Sequence, residues 1–413
     1  MLQLYCYFFK EDDTMTTEEI LTTIYHDNIT LLQHKRYEPY YAESLLKGPW
    51  GALLYVFYYE RQYNVQDPLA GELLQQLYQD LQPEPVTGYD YCSGATGPFW
   101  VLQHLHAHEF IDIDMDMLLT DFLPAAITDS EQCLHKKDFD FLYGSAGICH
   151  FLIPYAAQPA VAAHLQQFVD TLAAAAVPAP GGLSLPVFTM DQPDQPGVDA
   201  FSMAHGTCGL LVLLAKIYCT GIATGQCRQL ITDCIAFIKS KQLPRSADHQ
   251  RALFPGMLDG RSDFSRLSWC YGDLSVALAC WYCGKHLQEP AWMDEALDIM
   301  HYNTKRISDK AAGVVDSCLC HGSGGIAAFY NRFWHETKDP AFLQCAQHWY
   351  NNTLEKVIFS GQPGVHGMRG WIGAGKDWEY CWDVLDGSTG VGLSLLSYQS
   401  NIPPAWDEML MLS

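Results

Sequence analysis

A glycine turn that opens an apolar run recurs seven times along this chain, and that recurrence constrains the fold more than any other feature. A Gly-x-x-Gly, or a near match, begins at Gly48, Gly94, Gly144, Gly206, Gly272, Gly322 and Gly387. The runs behind them, such as Gly51-Ala-Leu-Leu-Tyr-Val-Phe and Gly209-Leu-Leu-Val-Leu-Leu, are apolar nearly all round and read as buried helices. Between them lie amphipathic stretches, among them Leu73-Leu-Gln-Gln-Leu-Tyr-Gln-Asp-Leu81 and Leu230-Ile-Thr-Asp-Cys-Ile-Ala-Phe-Ile238. Their polar residues share one face at helical spacing, as an outer layer requires. The repeat is therefore one outer helix, a glycine turn and one inner helix, about fifty to sixty-five residues in all. Seven such pairs predict an all-α fold, a closed α/α toroid with every turn at the same end of the barrel. Glycine there permits close backbone approach and turn conformations that a β-carbon would penalise. For four of the seven turns, tight helix packing is reason enough.

A closed ring of repeats can be one unit with an extended core, so the 413 residues are expected to form a single α/α-toroid domain over 1–413. The 49% hydrophobic and 13% aromatic content fits an ordered globule. A net charge of −23 argues against nucleic acid, whose phosphates it would repel. The same charge suits solubility, or a cationic peptide. No apolar stretch reaches the roughly 18 residues of a membrane span. Met1-Leu-Gln-Leu-Tyr-Cys-Tyr-Phe-Phe-Lys lacks the basic region and cleavage site of a signal peptide. Fifteen cysteines, an odd number, speak against a secreted disulfide framework and for a reducing cytoplasm. The Pro/Gly-rich segment at about 177–200 leads into His205, either overhanging the rim as a substrate path or serving as a plain connection. Ser246–Gly256 leads similarly toward Cys270.

Three of the turns carry chemistry: Ala204-His205-Gly206, Ser268-Trp269-Cys270-Tyr271-Gly272 and Leu319-Cys320-His321-Gly322. Zinc takes Cys sulfur and His nitrogen, and a catalytic site leaves one position open. Cys270, Cys320 and His321 offer three such ligands from matching places in consecutive repeats, although fifteen cysteines and sixteen histidines also produce neighbours by accident. Cys280-Trp-Tyr-Cys283 has the spacing of a redox or metal pair but lies inside an inner helix and reads as core. His104, His106 and His108 lack the Glu of a metalloprotease helix and read as a surface cluster. There is no phosphate-binding Gly-x-x-x-x-Gly-Lys and no Gly-x-Ser-x-Gly elbow.

These residues in this order, Trp269-Cys270-Tyr271-Gly272 with Cys320-His321-Gly322, His205-Gly206 and the repeated turns, closely resemble the lanthionine synthetase C-like family across essentially the whole chain. The resemblance implies one Zn2+ per chain, held by Cys270, Cys320 and His321. It places the family's catalytic histidine at His205, its tyrosine at Tyr271, its arginine at Arg266 and its aspartate at Asp140, with Asp138 close enough to confuse that assignment. One departure stands out: where the family continues Gly-x-Pro-Gly, this chain has Gly272-Asp-Leu-Ser275.

The implied activity is that of a class I lanthipeptide cyclase. Peptide cysteine thiolates add to dehydroalanine or dehydrobutyrine, forming lanthionine and methyllanthionine thioether rings. The implied partners are a dehydrated, leader-bearing precursor peptide, a separate dehydratase, and a transporter complex. The expected location is the cytoplasm or the periphery of a membrane-bound biosynthetic complex. Two alternatives stay open: addition of glutathione or another small thiol to dehydroamino acids in proteins, and a non-catalytic scaffold with structural zinc.

Overall fold

Seven helices begin at the seven glycine turns. In the computed structural model they are α2 (Pro49–Tyr63), α4 (Thr96–Ala107), α6 (Ser145–Leu152), α8 (Thr207–Cys219), α10 (Asp273–Leu287), α13 (Ser323–Thr337) and α15 (Ser388–Ser400). Residues 15–81, 85, 87–185, 199–260, 263–373 and 377–413 are described. The N-terminal segment weighed above as a signal peptide lies outside them, apart from its neighbours from residue 15 onward, and so do residues 186–198 of the Pro/Gly-rich segment.

The inner helices are buried on nearly every face. In α10, 13 of 15 residues are buried, and only an environment of other helices on all sides can accommodate that. The amphipathic stretches form the outer layer: α1 (Thr17–Gln33), α3 (Ala70–Asp80), α5 (Met115–His135), α7 (Pro159–Ala175), α9 (Thr224–Ser240), α11 (Pro290–Asn303) and α14 (Pro340–Lys356). In α3 only Ala70, Leu73 and Leu77 are buried, one narrow stripe at helical spacing. Helix starts follow local chemistry. Thr16 and Glu19 form a capping box at α1, and proline occupies the first turn of α7, α11 and α14, where its missing N–H costs nothing. A one-turn helix, α12 (Asp309–Ala312), three short 3-10 helices (Pro39–Tyr41, Ile153–Tyr155 and Trp406–Leu410) and two short antiparallel hairpins complete the regular structure of the described residues. The hairpins are β1 (Val177–Ala179) with β2 (Gly182–Ser184), and β3 (Met368–Ile372) with β4 (Asp377–Cys381).

The inner helices pack in sequence order and α15 returns to α2, which closes the ring. Helices α10 and α13 meet through Trp281 against Phe333, ring centroids 5.6 Å apart, and through the Lys285–Glu336 ion pair. The ring has a stopper. The buried segment Trp406–Leu412 offers the carbonyls of Met409, Leu410 and Leu412 to Tyr91, Trp269 and Tyr282, while Asp407 pairs with Arg332 of α13. A segment that bonds to so many repeats lies inside the ring and fills its centre.

The glycine pattern has a steric basis. At Gly51, Gly147, Gly209, Gly325 and Gly390, a β-carbon would run into the backbone carbonyl six positions earlier; at Gly325 that carbonyl is Leu319 and at Gly390 it is Val384. The departure at Gly272-Asp-Leu-Ser275 obeys the same geometry by other means. Ser275 sits where the second glycine stands elsewhere, and its hydroxyl donates to the Trp269 carbonyl at 2.9 Å. Gly272 itself adopts φ 97°, a conformation reserved in practice for glycine, whereas the leading glycines of α2, α6, α8, α13 and α15 are extended. Asp273 accepts the amides of Leu253 and Phe254 and pairs with fully buried Arg306 at 3.0 Å, so the altered turn is braced from below.

Two expectations about side clusters meet the structure differently. Cys280 and Cys283 are buried core residues, as read from the sequence. The histidine cluster is corrected: His106 is exposed, but His104 is 3% exposed, stacks on Trp100 and bonds Tyr58 at 2.9 Å. Burial holds its imidazole neutral, pushed down to about 3. The i, i+4 spacing put two histidines on one helix face, and ring closure buried one of them.

Candidate metal centre and its rim

Backbone hydrogen bonds join the turns to one another. Trp269 N–H donates to Cys320 O at 3.1 Å, Cys320 N–H to Leu385 O at 2.9 Å, and Leu385 N–H to Leu46 O at 3.4 Å. The chain of bonds continues from Leu46 N–H to Cys92 O at 3.3 Å and from Cys92 N–H to Leu142 O at 2.9 Å. Six turns are thereby fixed side by side, which is why ligands fifty residues apart in sequence come together. At the third turn the pattern changes: the Leu142 and Tyr143 amides donate to Asp140 Oδ1 at 2.8 and 3.0 Å. The fourth turn, carrying His205, is tied to the third by a side chain, His205 Nδ1 to Asp140 Oδ2 at 2.6 Å, and the segment leading into it is tied to the fifth by Gly272 N–H donating to Phe201 O at 2.8 Å.

Cys270, Cys320 and His321 lie with one ligand atom each within 4.8 Å of one another. Cys270 is pulled down to about 6, chiefly by a hydrogen bond from the Cys320 thiol and against burial, with help from Ser268, His321 and Arg266. Cys320 is pushed up by the same contact and by burial, so the two sulfurs share one proton unequally, with Cys270 the more readily ionised. Two soft sulfurs with an imidazole alongside match the donor set zinc prefers. A second cluster, Asp316, Cys318 and His321, shares the histidine.

The other sequence-selected residues surround this centre. Burial alone would favour a neutral His205 ring, but the hydrogen bond and charge of Asp140, with Cys270 nearby, outweigh it and hold the imidazole above its ordinary value. The ring is about a third open, 34% exposed, while Asp140 is 5% exposed. Of the two candidate carboxylates, Asp140 receives His205; Asp138 instead accepts the Asp140 amide at 3.1 Å. The Tyr271 ring lies 6.5 Å from that of His205, and burial, followed by the charges of Cys270 and Asp140, keeps its phenol protonated. Arg266 is held by its neighbours, Ser265 bonding Phe254 O and Leu267 bonding Ala312 O, and its charge helps ionise Cys270.

A regularity not read from the sequence becomes plain in the fold. The residue immediately before each leading glycine is polar in all seven turns: Lys47, Ser93, Tyr143, His205, Tyr271, His321 and Asp386. Lys47 pairs with Asp386, Asp386 stands 3.8 Å from His321, and the Tyr143 ring lies parallel to His205 at 6.3 Å. Aligning the seven turns on their glycines would have picked out Lys47, Tyr143 and Asp386.

A toroid of glycine-led helix pairs with Cys and Cys-His in consecutive rim turns defines a class. The family model described as lanthionine synthetase C-like protein matches residues 39–411, and the chain belongs to that family. Among solved structures, nisin cyclase superposes with a TM-score of 0.71 at 18% identity, covering 96% of this chain and 98% of that one, and it shares the α/α-toroid fold. No curated protein matches in sequence. Among the described residues, no helix is long and apolar enough to cross a membrane.

Proposed function

We propose that the chain, as a single toroid domain over 1–413, is a zinc-dependent lanthipeptide cyclase. The observation that carries this reading is the convergence of Cys270, Cys320 and His321 within 4.8 Å, beside the His205–Asp140 pair. Zinc held by those three residues would supply the Lewis acidity that favours the thiolate form of a substrate cysteine near neutral pH.

The chain's own residues account for the rest. In the ring closure a carbon–sulfur bond forms at the β-carbon of the dehydroamino acid, its π pair moves onto the carbonyl oxygen, and the α-carbon takes a proton. His205, held toward its protonated form by Asp140, is the acid that delivers that proton. Asp140 receives Nδ1–H and leaves Nε2 as the working nitrogen. Tyr271, kept protonated, and Arg266, always charged, are the donors for the carbonyl oxygen as negative charge develops there. A separate dehydratase would supply the dehydrated, leader-bearing peptide, and the precursor's route outward would place the enzyme beside a transporter.

The test is the zinc content of the purified protein and of Cys320→Ala, followed by incubation with a dehydrated cysteine peptide. One zinc per chain, lost in the variant, together with disappearance of the peptide thiol at unchanged mass, supports the reading. Protein that takes up no zinc, or a product heavier by one small thiol, overturns it.

A further inference from the structure

Two carboxylates flank the His321 ring, and they are held differently. Asp316 Oδ2 stands 4.0 Å from Nε2, but it also accepts the Trp371 amide at 2.7 Å, and Asp316 Oδ1 accepts the Cys318 amide at 3.2 Å. Its task is to anchor strand β3 and the sixth turn. Asp386 Oδ1 stands 3.8 Å from Nδ1, and its Oδ2 is gripped by Lys47. Lys47 reaches Asp383 at 3.3 Å as well, and the Asp386 amide donates to Asp383 Oδ1 at 2.8 Å. The three residues come from the first, sixth and seventh turns, which the ring closure makes neighbours, and Lys47, His321 and Asp386 all occupy the place just before the leading glycine.

We propose that Asp386, immobilised by Lys47, is the positioning residue that fixes the His321 ring for the metal; this rests on the zinc reading above. A metal-binding histidine commonly gives its second nitrogen to a carboxylate, which sets the tautomer and ring angle and strengthens the ligand. At 3.8 Å the contact is longer than a hydrogen bond, and a small rotation of the ring or one bridging water closes it. Lys47 matters because an aspartate free to turn would not hold a ring in place: the cation fixes one oxygen and leaves the other facing His321.

Zinc affinity, measured by competition with a chromogenic chelator, tests this on wild-type protein, Asp386→Asn, Lys47→Met and Asp316→Asn. Asp386→Asn should bind zinc roughly 10- to 100-fold more weakly, and Lys47→Met should shift in the same direction by a smaller factor. Melting of the metal-free proteins should be nearly the same for wild type and Asp386→Asn, which separates ring positioning from folding. Should Asp386→Asn fail to fold, Lys47→Met carries the comparison. Wild-type zinc binding with Asp386→Asn within twofold of it would refute the assignment, as would a loss confined to Asp316→Asn. Wild-type protein that binds no zinc would remove the metal reading as well, so the two failures are distinguishable.

Discussion

Replacing Asp140 with asparagine should lower the pH at which His205 loses its proton. Opposed effects act on that ring: burial, the largest single one, disfavours the imidazolium, and the hydrogen bond and charge of Asp140, with the charges of Cys270 and Asp138, together outweigh it. Asparagine preserves shape but removes the charge. A charge-assisted hydrogen bond contributes about 1.5–3 kcal/mol, roughly a 10- to 150-fold change in the ratio of protonated to neutral ring. Because the His205 side chain is 34% exposed, solvent screening puts the expected change toward the lower end of that range. With the raised value of the wild type, the stabilising protonated ring is fully present below the ordinary histidine range, while Asp140 stays ionised, and is lost as pH rises through the folded-state value. In Asp140→Asn that loss should occur at lower pH, because the largest favourable contributions are gone and only the charges of Cys270 and Asp138 still oppose burial. The assay is the NMR titration of the His205 ring protons in both proteins, with cyclisation rate against pH as the functional companion. The descending alkaline limb of the rate profile should move to lower pH in the variant. A titration midpoint for His205 that is unchanged or higher in Asp140→Asn would refute the reasoning.

In metal-free protein, iodoacetamide should modify Cys270 at a rate that is flat above about pH 7 and falls as pH drops through about 6, because the thiolate is lost there. Mass spectrometry of the alkylated peptide locates the label, and a profile centred near pH 9 would contradict the shared-proton geometry. Asp273→Ala leaves the fully buried Arg306 guanidinium without its carboxylate and should cost about 3–5 kcal/mol in denaturant unfolding. Gly325→Ala forces a β-carbon into the Leu319 carbonyl, directly before Cys320, and should cost about 3 kcal/mol or more. Gly71→Ala in α3 meets nothing within 4 Å and should instead stabilise by about 0.5–1 kcal/mol, read as a higher melting temperature.

The architecture was legible because its determinants are local. Glycine at the start of each inner helix, an apolar run behind it and an amphipathic stretch between repeats are properties of a few adjacent residues, and they prescribe helix pairs with turns at one end. Cys270, Cys320 and His321 were visible for the same reason, each marked by a glycine one or two positions after it. The departure at Gly272-Asp-Leu-Ser275 was visible as a difference but not as a solution. That Ser275 bonds the Trp269 carbonyl and Asp273 braces the turn through Arg306 depends on segments up to about thirty residues away.

Everything that depends on which repeat faces which was left to the tertiary structure. Sequence spacing favoured Asp140 over Asp138 only by analogy; it is the closed ring that brings Asp140 to His205, 65 positions away. Closure likewise set Lys47 against Asp386, 339 positions apart, and turned His104 into the core. It also drew Trp406–Leu412 into the centre, where tyrosines and a tryptophan from separate repeats hold its carbonyls. The physical reason is common to all of these. Helix formation and turn geometry are settled by short-range sterics and hydrogen bonding, which the sequence states directly. Side-chain meetings across the barrel depend on the relative rotation and register of whole helices, set only when the last inner helix packs against the first.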